Sequence, residues 1–318
     1  MKVLANDGIS ESGIKTLEES GFEVITTKVA QEQVANYINK NNVTVLLVRG
    51  ATKVRKDIID NCPSLKIIGR GGLGMDNIDV AYAREKGLSV INTPAAFSDA
   101  VAELVFAHLF TGVRSLHDAN RLMPLEGETS FTALRKAYAA GSELRGKTLG
   151  IIGFGRVGRA VAKIALGLGM RVVASGEEGG TEDVRIDFYN GQFINIKFST
   201  ASNETIYKTA DFISVHVPAQ KDYLISAPEF KMMKDGVGII NAARGGVIEE
   251  VALVEALDSG KVAFAGLDVF EEEPKPAIQV LMNPKVSLTP HIGATTLEAQ
   301  ERINTELAEQ VIGIMNQN

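Results

Sequence analysis

The sequence predicts an α/β protein of two doubly wound parallel-sheet lobes, and three observations carry that expectation. Short β-branched runs alternate with amphipathic stretches from end to end, the pattern of βαβ units around parallel sheets. The runs fall into two series, one in the first hundred residues and one starting at Thr148. The chain is 318 residues long, about twice the size of a common domain.

Taken in order, strands are predicted at KVLAN (2–6), FEVITT (22–27), VTVLLVR (43–49), LKIIGR (65–70) and LSVINT (88–93), with helical patterns between them. Ala100 to Leu122 then reads as one long helix, apolar around much of its circumference, which suits burial between lobes or against a partner chain. The second series follows: TLGIIGF, RVVASG, FISVHVP, GVGIINAA, AFAGLDVF and KVSLTPH. One segment breaks the alternation. Residues 184–199, VRIDFYNGQFINIKFS, hold two β-patterned runs around Asn190-Gly191, which predicts a β-hairpin with a type I′ turn.

Composition narrows the function classes. With 45% hydrophobic and 23% charged residues and a net charge of −6, the chain lacks the basic excess of a general nucleic-acid binder. A single cysteine, Cys62, allows no intrachain disulfide and fits a reducing compartment. No secretion signal is visible, and no apolar run approaches the ~20 residues of a membrane span. A cytoplasmic protein without a metal site is expected.

The sharpest local motif is GIIGFGRVGRA, in which Gly153, Gly155 and Gly158 form GxGxxG directly after an apolar strand. A helix follows, with Val157, Ala160, Val161, Ile164, Ala165 and Leu168 along one face. Such a loop turns tightly, lets pyrophosphate approach the backbone, and offers free amides at a positive helix terminus. The acidic residue that binds the adenosine ribose is expected roughly 20 residues on. There the chain reads Gly176, followed by Glu177 and Glu178. No Arg or Lys stands ready for a 2′-phosphate, so NAD is expected over NADP.

Eight blocks, VRGATKV, IIGRGGLGMDNIDV, NTPAAFSDAVAELV, ELRGKTLGIIGFGRVGRAVA, DFISVHVP, IINAARGGVIEE, AGLDVFEEEP and LTPHIGATT, occur in that order. In them the chain resembles the D-isomer-specific 2-hydroxyacid dehydrogenases, and within these the D-3-phosphoglycerate dehydrogenases. The resemblance implies a Rossmann cofactor domain (100–291) inserted into a flavodoxin-like substrate domain (1–99 and 292–318). A cleft would lie between them, with hinges near Ser98 and His291. It also implies three catalytic residues, Arg244 in NAARGG, Glu273 directly before Pro274, and His291 in TPHIGA.

Chemistry agrees with these types. Oxidising a 2-hydroxy acid requires a base for the hydroxyl proton, and histidine exchanges protons near neutrality. A carboxylate beside the imidazole fixes its tautomer and favours the charged form. An arginine fork matches a carboxylate and polarises the adjoining oxygen. His216, His108 and His117 have no such support and are expected to be structural.

Further contacts follow from the likeness. For the cofactor they are Arg156, Val157, Val217, Pro218 and Ala242, with Asp268 at the nicotinamide amide. For the substrate carboxylate they are the amides of Leu73 and Gly74. Arg49, Arg70 and Lys53, with Asn92, are expected near a substrate phosphate, which needs a cation when desolvated. The implied reaction is 3-phosphoglycerate plus NAD to 3-phosphohydroxypyruvate, the first step of serine biosynthesis. Gly50 stands where relatives carry Ser, so glyoxylate or hydroxypyruvate reduction, or a D-lactate type, is the runner-up. Longer relatives append a serine-binding regulatory domain; this chain stops at Asn318, so that feedback is not expected. The fold also serves NAD-responsive co-repressors, but the occupied catalytic positions favour an enzyme. A homodimer through the helix near Ala100 is expected, and the hairpin is expected to flank the adenosine end of the cofactor site.

Overall fold

The computed structural model describes residues 1–72, 74–177 and 179–316. In chain order it forms β1 (Lys2–Ala5), α1 (Glu11–Glu19), β2 (Glu23–Ile25), α2 (Val34–Asn41), β3 (Val43–Val48), α3 (Lys56–Asn61), β4 (Ile67–Arg70), α4 (Val80–Glu85), β5 (Ser89–Asn92), α5 (Ser98–Arg114), α6 (Leu116–Ala137), β6 (Thr148–Ile152), α7 (Arg156–Gly167) and β7 (Arg171–Ser175). The hairpin strands β8 (Thr181–Asp187) and β9 (Phe193–Ala201) follow, then α8 (Asn203–Thr209), β10 (Phe212–Val215), α9 (Ala227–Met232), β11 (Val237–Asn241), α10 (Glu250–Asp258), β12 (Val262–Leu267), α11 (Ile278–Leu281), β13 (Val286–Leu288) and α12 (Leu297–Met315). The chain divides into two compact units: Met1–Phe97 with Ala294–Asn318, and Ser98–Gly293.

The first unit holds a five-stranded parallel sheet in the order β2-β1-β3-β4-β5, the flavodoxin-like arrangement. Its strands are apolar on both faces because helices cover both. Leu4, Leu46 and Ile68 pack with Ile38 of α2 and Ile58 of α3 on one face. Val3, Val45, Leu47 and Ile67 pack with Leu17 of α1 and Leu307 and Val311 of α12 on the other. Leu46 is fully enclosed, so Leu46→Ala would cost about 2–5 kcal/mol.

The second unit holds an eight-stranded sheet in the order β13-β12-β11-β10-β6-β7-β9-β8. Apart from β8, which runs antiparallel to β9, neighbouring strands are parallel. With β9 in the third-strand place, β9-β7-β6-β10-β11-β12 is the six-strand dinucleotide-binding order, extended by β13 at one edge and β8 at the other. The order reverses between β6 and β10, and in such sheets ligands bind outside the strand ends at that point. Helix α5 lies against the sheet through Val105, Leu109 and Val113, which share a cluster with Leu149, Val161 and Phe264.

Two local expectations are corrected. The long helix from Ala100 is not continuous, because Ser115 adopts a left-handed φ of 46° between α5 and α6. The apolar packing that holds α5 stops at Val113; in α6 Leu134 is the buried residue, and Leu116 is 55% exposed. The hairpin is present but longer than expected, and its turn is not the two-residue type I′. Asp187 pairs with Phe193, and Gly191, at φ 81°, closes a bond from its N–H to the Phe188 carbonyl at 3.0 Å. This is a three-residue loop with glycine in the left-handed position. The register explains it. Val184 and Ile186 face Ile196 and Ile194, whereas a two-residue turn would set them opposite Lys197 and Asn195.

Candidate active site

The glycine loop leaves the end of β6. Gly153 has φ 95°, and a Cβ there would sit 2.5 Å from the His216 carbonyl oxygen after β10. A Cβ on Gly158 would meet the Gly153 oxygen at 2.4 Å. Both positions demand glycine for closeness. At Gly155, in contrast, nothing lies within 4 Å of a Cβ, and no side chain caps the first turn of α7. Open space in front of uncapped first-turn amides fits a pyrophosphate. Arg156 is exposed and Val157 half-buried in that turn, while Val217, packed near Gly153, and Ala242 are half-buried and Pro218 exposed. At the exit of β7, the Gly176 Cβ position is bounded by Thr200 at 3.0 Å, which accounts for glycine where an acid was expected. Glu177 follows, exposed; Glu178 lies outside the described residues.

On the other side of β6 and β10, the strands β11, β12 and β13 are neighbours and carry the three expected catalytic residues just beyond their C-terminal ends. His291 and Glu273 are in contact, with Nδ1 2.8 Å from Oε2. The other Glu273 oxygen accepts the Phe270 N–H at 3.1 Å, which orients the carboxylate. Glu271 has a different partner set: its carboxylate accepts the Glu250 N–H and its own N–H donates to the Glu250 carboxylate, both at 2.8 Å. Burial and the nearby Glu271 and Glu272 charges push Glu250 above the ordinary glutamate value, against the backbone hydrogen bond from Glu271. Arg244 is half-buried in the turn after β11, where its Nη1 donates to the Ala243 carbonyl at 2.6 Å. Next to it, a Cβ on Gly245 would lie 1.7 Å from the Phe270 oxygen, so this turn rests directly on the backbone leading to Glu273.

Asp268, expected at the nicotinamide amide, also makes contacts that its place in the sequence does not reveal. It is 1% exposed, and Oδ1 accepts the Thr289 hydroxyl and the Ile292 N–H, each at 2.7 Å, while Oδ2 accepts the Gly293 N–H at 2.8 Å. The carboxylate therefore clamps both sides of His291, itself held at a left-handed φ of 55°. Thr289 also meets Nε2 of His108 at 3.1 Å, and Nδ1 of that ring meets Ser287 at 2.8 Å. Burial holds His108 below the ordinary histidine value although the Asp268 charge opposes it. Burial alone pushes His216 down to about 3; its Nε2 meets Ser214 at 2.8 Å. Spacing along the chain could not have exposed the Asp268 clamp, because its partners join through the fold rather than a motif.

Within the first unit, Arg49 directly follows β3, while Arg70 and Asn92 are cross-strand partners at the ends of β4 and β5. Asn77 ties the two arginines: its Nδ2 donates to the Arg49 carbonyl at 2.8 Å and its Oδ1 accepts from Arg70 Nε at 3.0 Å. Arg49 Nε is buried with no hydrogen-bond partner among the described residues. Its enclosure lowers the guanidinium below the ordinary arginine value, and the Asp7 charge acts in the opposite sense. Gly74 is half-buried in the turn, Lys53 is exposed, and Leu73 lies outside the described residues. Among the described residues no helix is long and apolar enough to cross a membrane.

The sequence profile of the D-isomer specific 2-hydroxyacid dehydrogenase NAD binding domain matches residues 106–293. The chain is 41% identical to a hydroxypyruvate reductase from Thermotoga maritima, covering 98% of this chain and 97% of that one. It is 40% identical to a D-3-phosphoglycerate dehydrogenase from Methanocaldococcus jannaschii, again over 98% of this chain, but spans only 57% of that protein's length. Among solved structures, D-lactate dehydrogenase from Aquifex aeolicus complexed with NAD and lactic acid superposes with a TM-score of 0.74 at 27% identity, covering 100% of this chain and 96% of that one. The chain belongs to the D-isomer specific 2-hydroxyacid dehydrogenase family and is an NAD-dependent oxidoreductase.

Proposed function

We propose that His291, Glu273 and Arg244 carry the redox chemistry of this dehydrogenase, a reading supported above all by the 2.8 Å contact of His291 with Glu273 beyond the strand ends. Because Nδ1 faces the carboxylate, Nε2 is the nitrogen that takes the substrate hydroxyl proton during oxidation and returns it during reduction. Glu273 fixes that orientation and stabilises the imidazolium once the proton arrives. The Arg244 fork holds the substrate carboxylate and polarises the oxygen on carbon 2. Gly153, Gly155, Arg156, Val157 and Gly158, with Val217, Pro218 and Ala242, would hold NAD, which would supply the hydride acceptor for carbon 2. Asp268 steadies the loop that bears His291.

The substrate we infer is 3-phosphoglycerate, with Arg49, Arg70 and Asn92 meeting its anionic groups and the Gly74 amide its carboxylate. The unpartnered Nε of Arg49 supports this, since a half-buried guanidinium with an enclosed spare donor is suited to an anion. On this reading the protein serves serine biosynthesis in the cytoplasm. Reduction of unphosphorylated hydroxypyruvate is the second reading, favoured by the full-length match to a hydroxypyruvate reductase. Exposed Phe110, Leu116, Met123, Leu125 and Phe131 along α5 and α6 support a homodimer through that helical stretch.

The deciding experiment measures kcat/KM for a panel of 2-hydroxy and 2-oxo acids with and without a 3-phosphate, with His291→Gln as control. The phosphorylated acid is expected to lead by at least about tenfold, the size of one good charge-assisted contact. Preference for glyoxylate, hydroxypyruvate or D-lactate would remove the phosphoglycerate assignment and keep the family chemistry. Sedimentation equilibrium at micromolar protein tests the dimer.

A further inference from the structure

The β8–β9 hairpin grips two walls of the adenosine side of the cofactor loop. One wall is the turn after β7. Strand β9 pairs with β7 through Thr200 and Ala201, and the turn from Gly176 to Gly180 is stitched to it by main-chain bonds. Gly176 N–H donates to the Ala201 carbonyl at 3.0 Å, and Thr200 N–H donates to the Gly180 carbonyl at 2.8 Å. The Thr200 hydroxyl adds a bond of 2.6 Å to the Glu177 carbonyl. Thr200 also fills the space that a side chain on Gly176 or Gly180 would need, with Cβ positions 3.0 and 2.6 Å from its atoms.

The other wall is the phosphate loop itself. Phe154, the residue between Gly153 and Gly155, receives the edge of Phe198 from β9 at 5.3 Å between centroids and 84° between planes. Arg159 of α7 stacks over Phe154 at 4.8 Å and reaches the hairpin with both guanidinium nitrogens, 2.7 Å to Glu182 and 2.9 Å to the Asp183 carbonyl. A single antiparallel insert thus touches both the glycine loop and the turn after β7.

We propose that this hairpin is a cofactor-positioning element: through Thr200 and Phe198 it fixes the glycine loop and the Gly176–Gly180 turn together. The turn then presents the exposed Glu177 carboxylate as acceptor for the ribose diol, in place of an acid at the strand end. The chemistry selects a dinucleotide with a free 2′-hydroxyl, since a 2′-phosphate would meet a like charge there. This inference rests on the seating of NAD at the glycine loop.

Titration of NADH and NADPH by nucleotide fluorescence, and of ADP-ribose by calorimetry, tests it without turnover. Thr200→Val keeps the side-chain shape and removes the hydroxyl bond. It is expected to raise the dissociation constants of NADH and ADP-ribose by the same factor, about 3- to 10-fold, while Thr200→Ser retains the wild-type values. Glu177→Gln is expected to narrow the NADH preference over NADPH by about tenfold or more. Thermal melting of each variant separates binding loss from misfolding. Constants within twofold of wild type in Thr200→Val, or an unchanged NADH to NADPH ratio in Glu177→Gln, would overturn the proposal. Gly155→Val distinguishes the underlying reading: if it binds NADH normally, the cofactor does not sit on the glycine loop and the seating itself is wrong.

Discussion

Replacing Asp268 by Asn leaves the volume intact and removes one acceptor together with the negative charge, so its effect reports the polar clamp rather than packing. The carboxylate accepts from Thr289, Ile292 and Gly293 and is 1% exposed. An amide has only one acceptor oxygen. In either orientation at least one backbone N–H, of Ile292 or of Gly293, faces the new NH₂ group. Losing a bond to a charged acceptor and stranding a buried donor costs about 2–4 kcal/mol at this turn. His291 between those amides holds a φ of 55°, a conformation that itself costs a non-glycine residue about 1–3 kcal/mol. The clamp and the strain are of similar size, so weakening the first releases the second and carries the imidazole away from Glu273. At 1.4 kcal/mol per factor of ten, kcat/KM should fall about 30- to 1000-fold. Steady-state kinetics at saturating NADH, paired with direct NADH titration, reads this. A kcat/KM within threefold of wild type would refute the clamp. A loss confined to NADH affinity would instead assign Asp268 to the nicotinamide amide.

Three other outcomes are expected. Glu273→Gln should lower kcat about 100-fold, the usual weight of an oriented acid–base group, while NADH titration stays at the wild-type value; equal loss in both would place Glu273 in the cofactor site. Gly245→Ala puts a methyl 1.7 Å from the Phe270 oxygen, and backbone cannot yield as a side chain tip can. It should cost about 3 kcal/mol or more of stability by urea unfolding together with activity, because the displaced turn carries Arg244. Stability should decline on acidification through His216, which is pushed down to about 3 in the folded protein. The unfolded imidazole takes its proton near pH 6.5 and the buried ring does not. Folding therefore bears no penalty above pH 6.5 and loses up to about 2 kcal/mol by pH 5. His216→Asn should flatten that slope in urea titrations at pH 7.5 and 5; an unchanged slope assigns the acid sensitivity elsewhere, as to His108, whose burial acts in the same direction.

The strands were legible because each is a β-branched run closed by a polar or glycine signal, as in VTVLLV and GVGIIN. The glycine loop and the His291–Glu273 pair were legible too, one through its spacing and the other through resemblance. Sheet order was not written locally, since it depends on which crossovers return to which edge. The break at Ser115 was hidden because Leu116 and Leu122 continue the apolar pattern of α5, although Leu116 is 55% exposed. The hairpin turn was misread because Asn190-Gly191 suits two loop lengths, and the choice is made by cross-strand matching. Asp268 reads as one more turn acid until β12 and β13 are side by side.

Helix α12 belongs to the same unit as the first five strands, which gives the order of synthesis a physical meaning. Roughly 200 residues separate the two parts, so at ordinary translation rates about 10–40 s pass before α12 leaves the ribosome. During that interval the Val3, Val45, Leu47 and Ile67 face has no Leu307, Val311 or Met315 to cover it. The contiguous stretch from Ser98 to Gly293 can meanwhile complete its own sheet. The nascent chain thus carries near its beginning an apolar face that α1 covers only in part until α12 arrives.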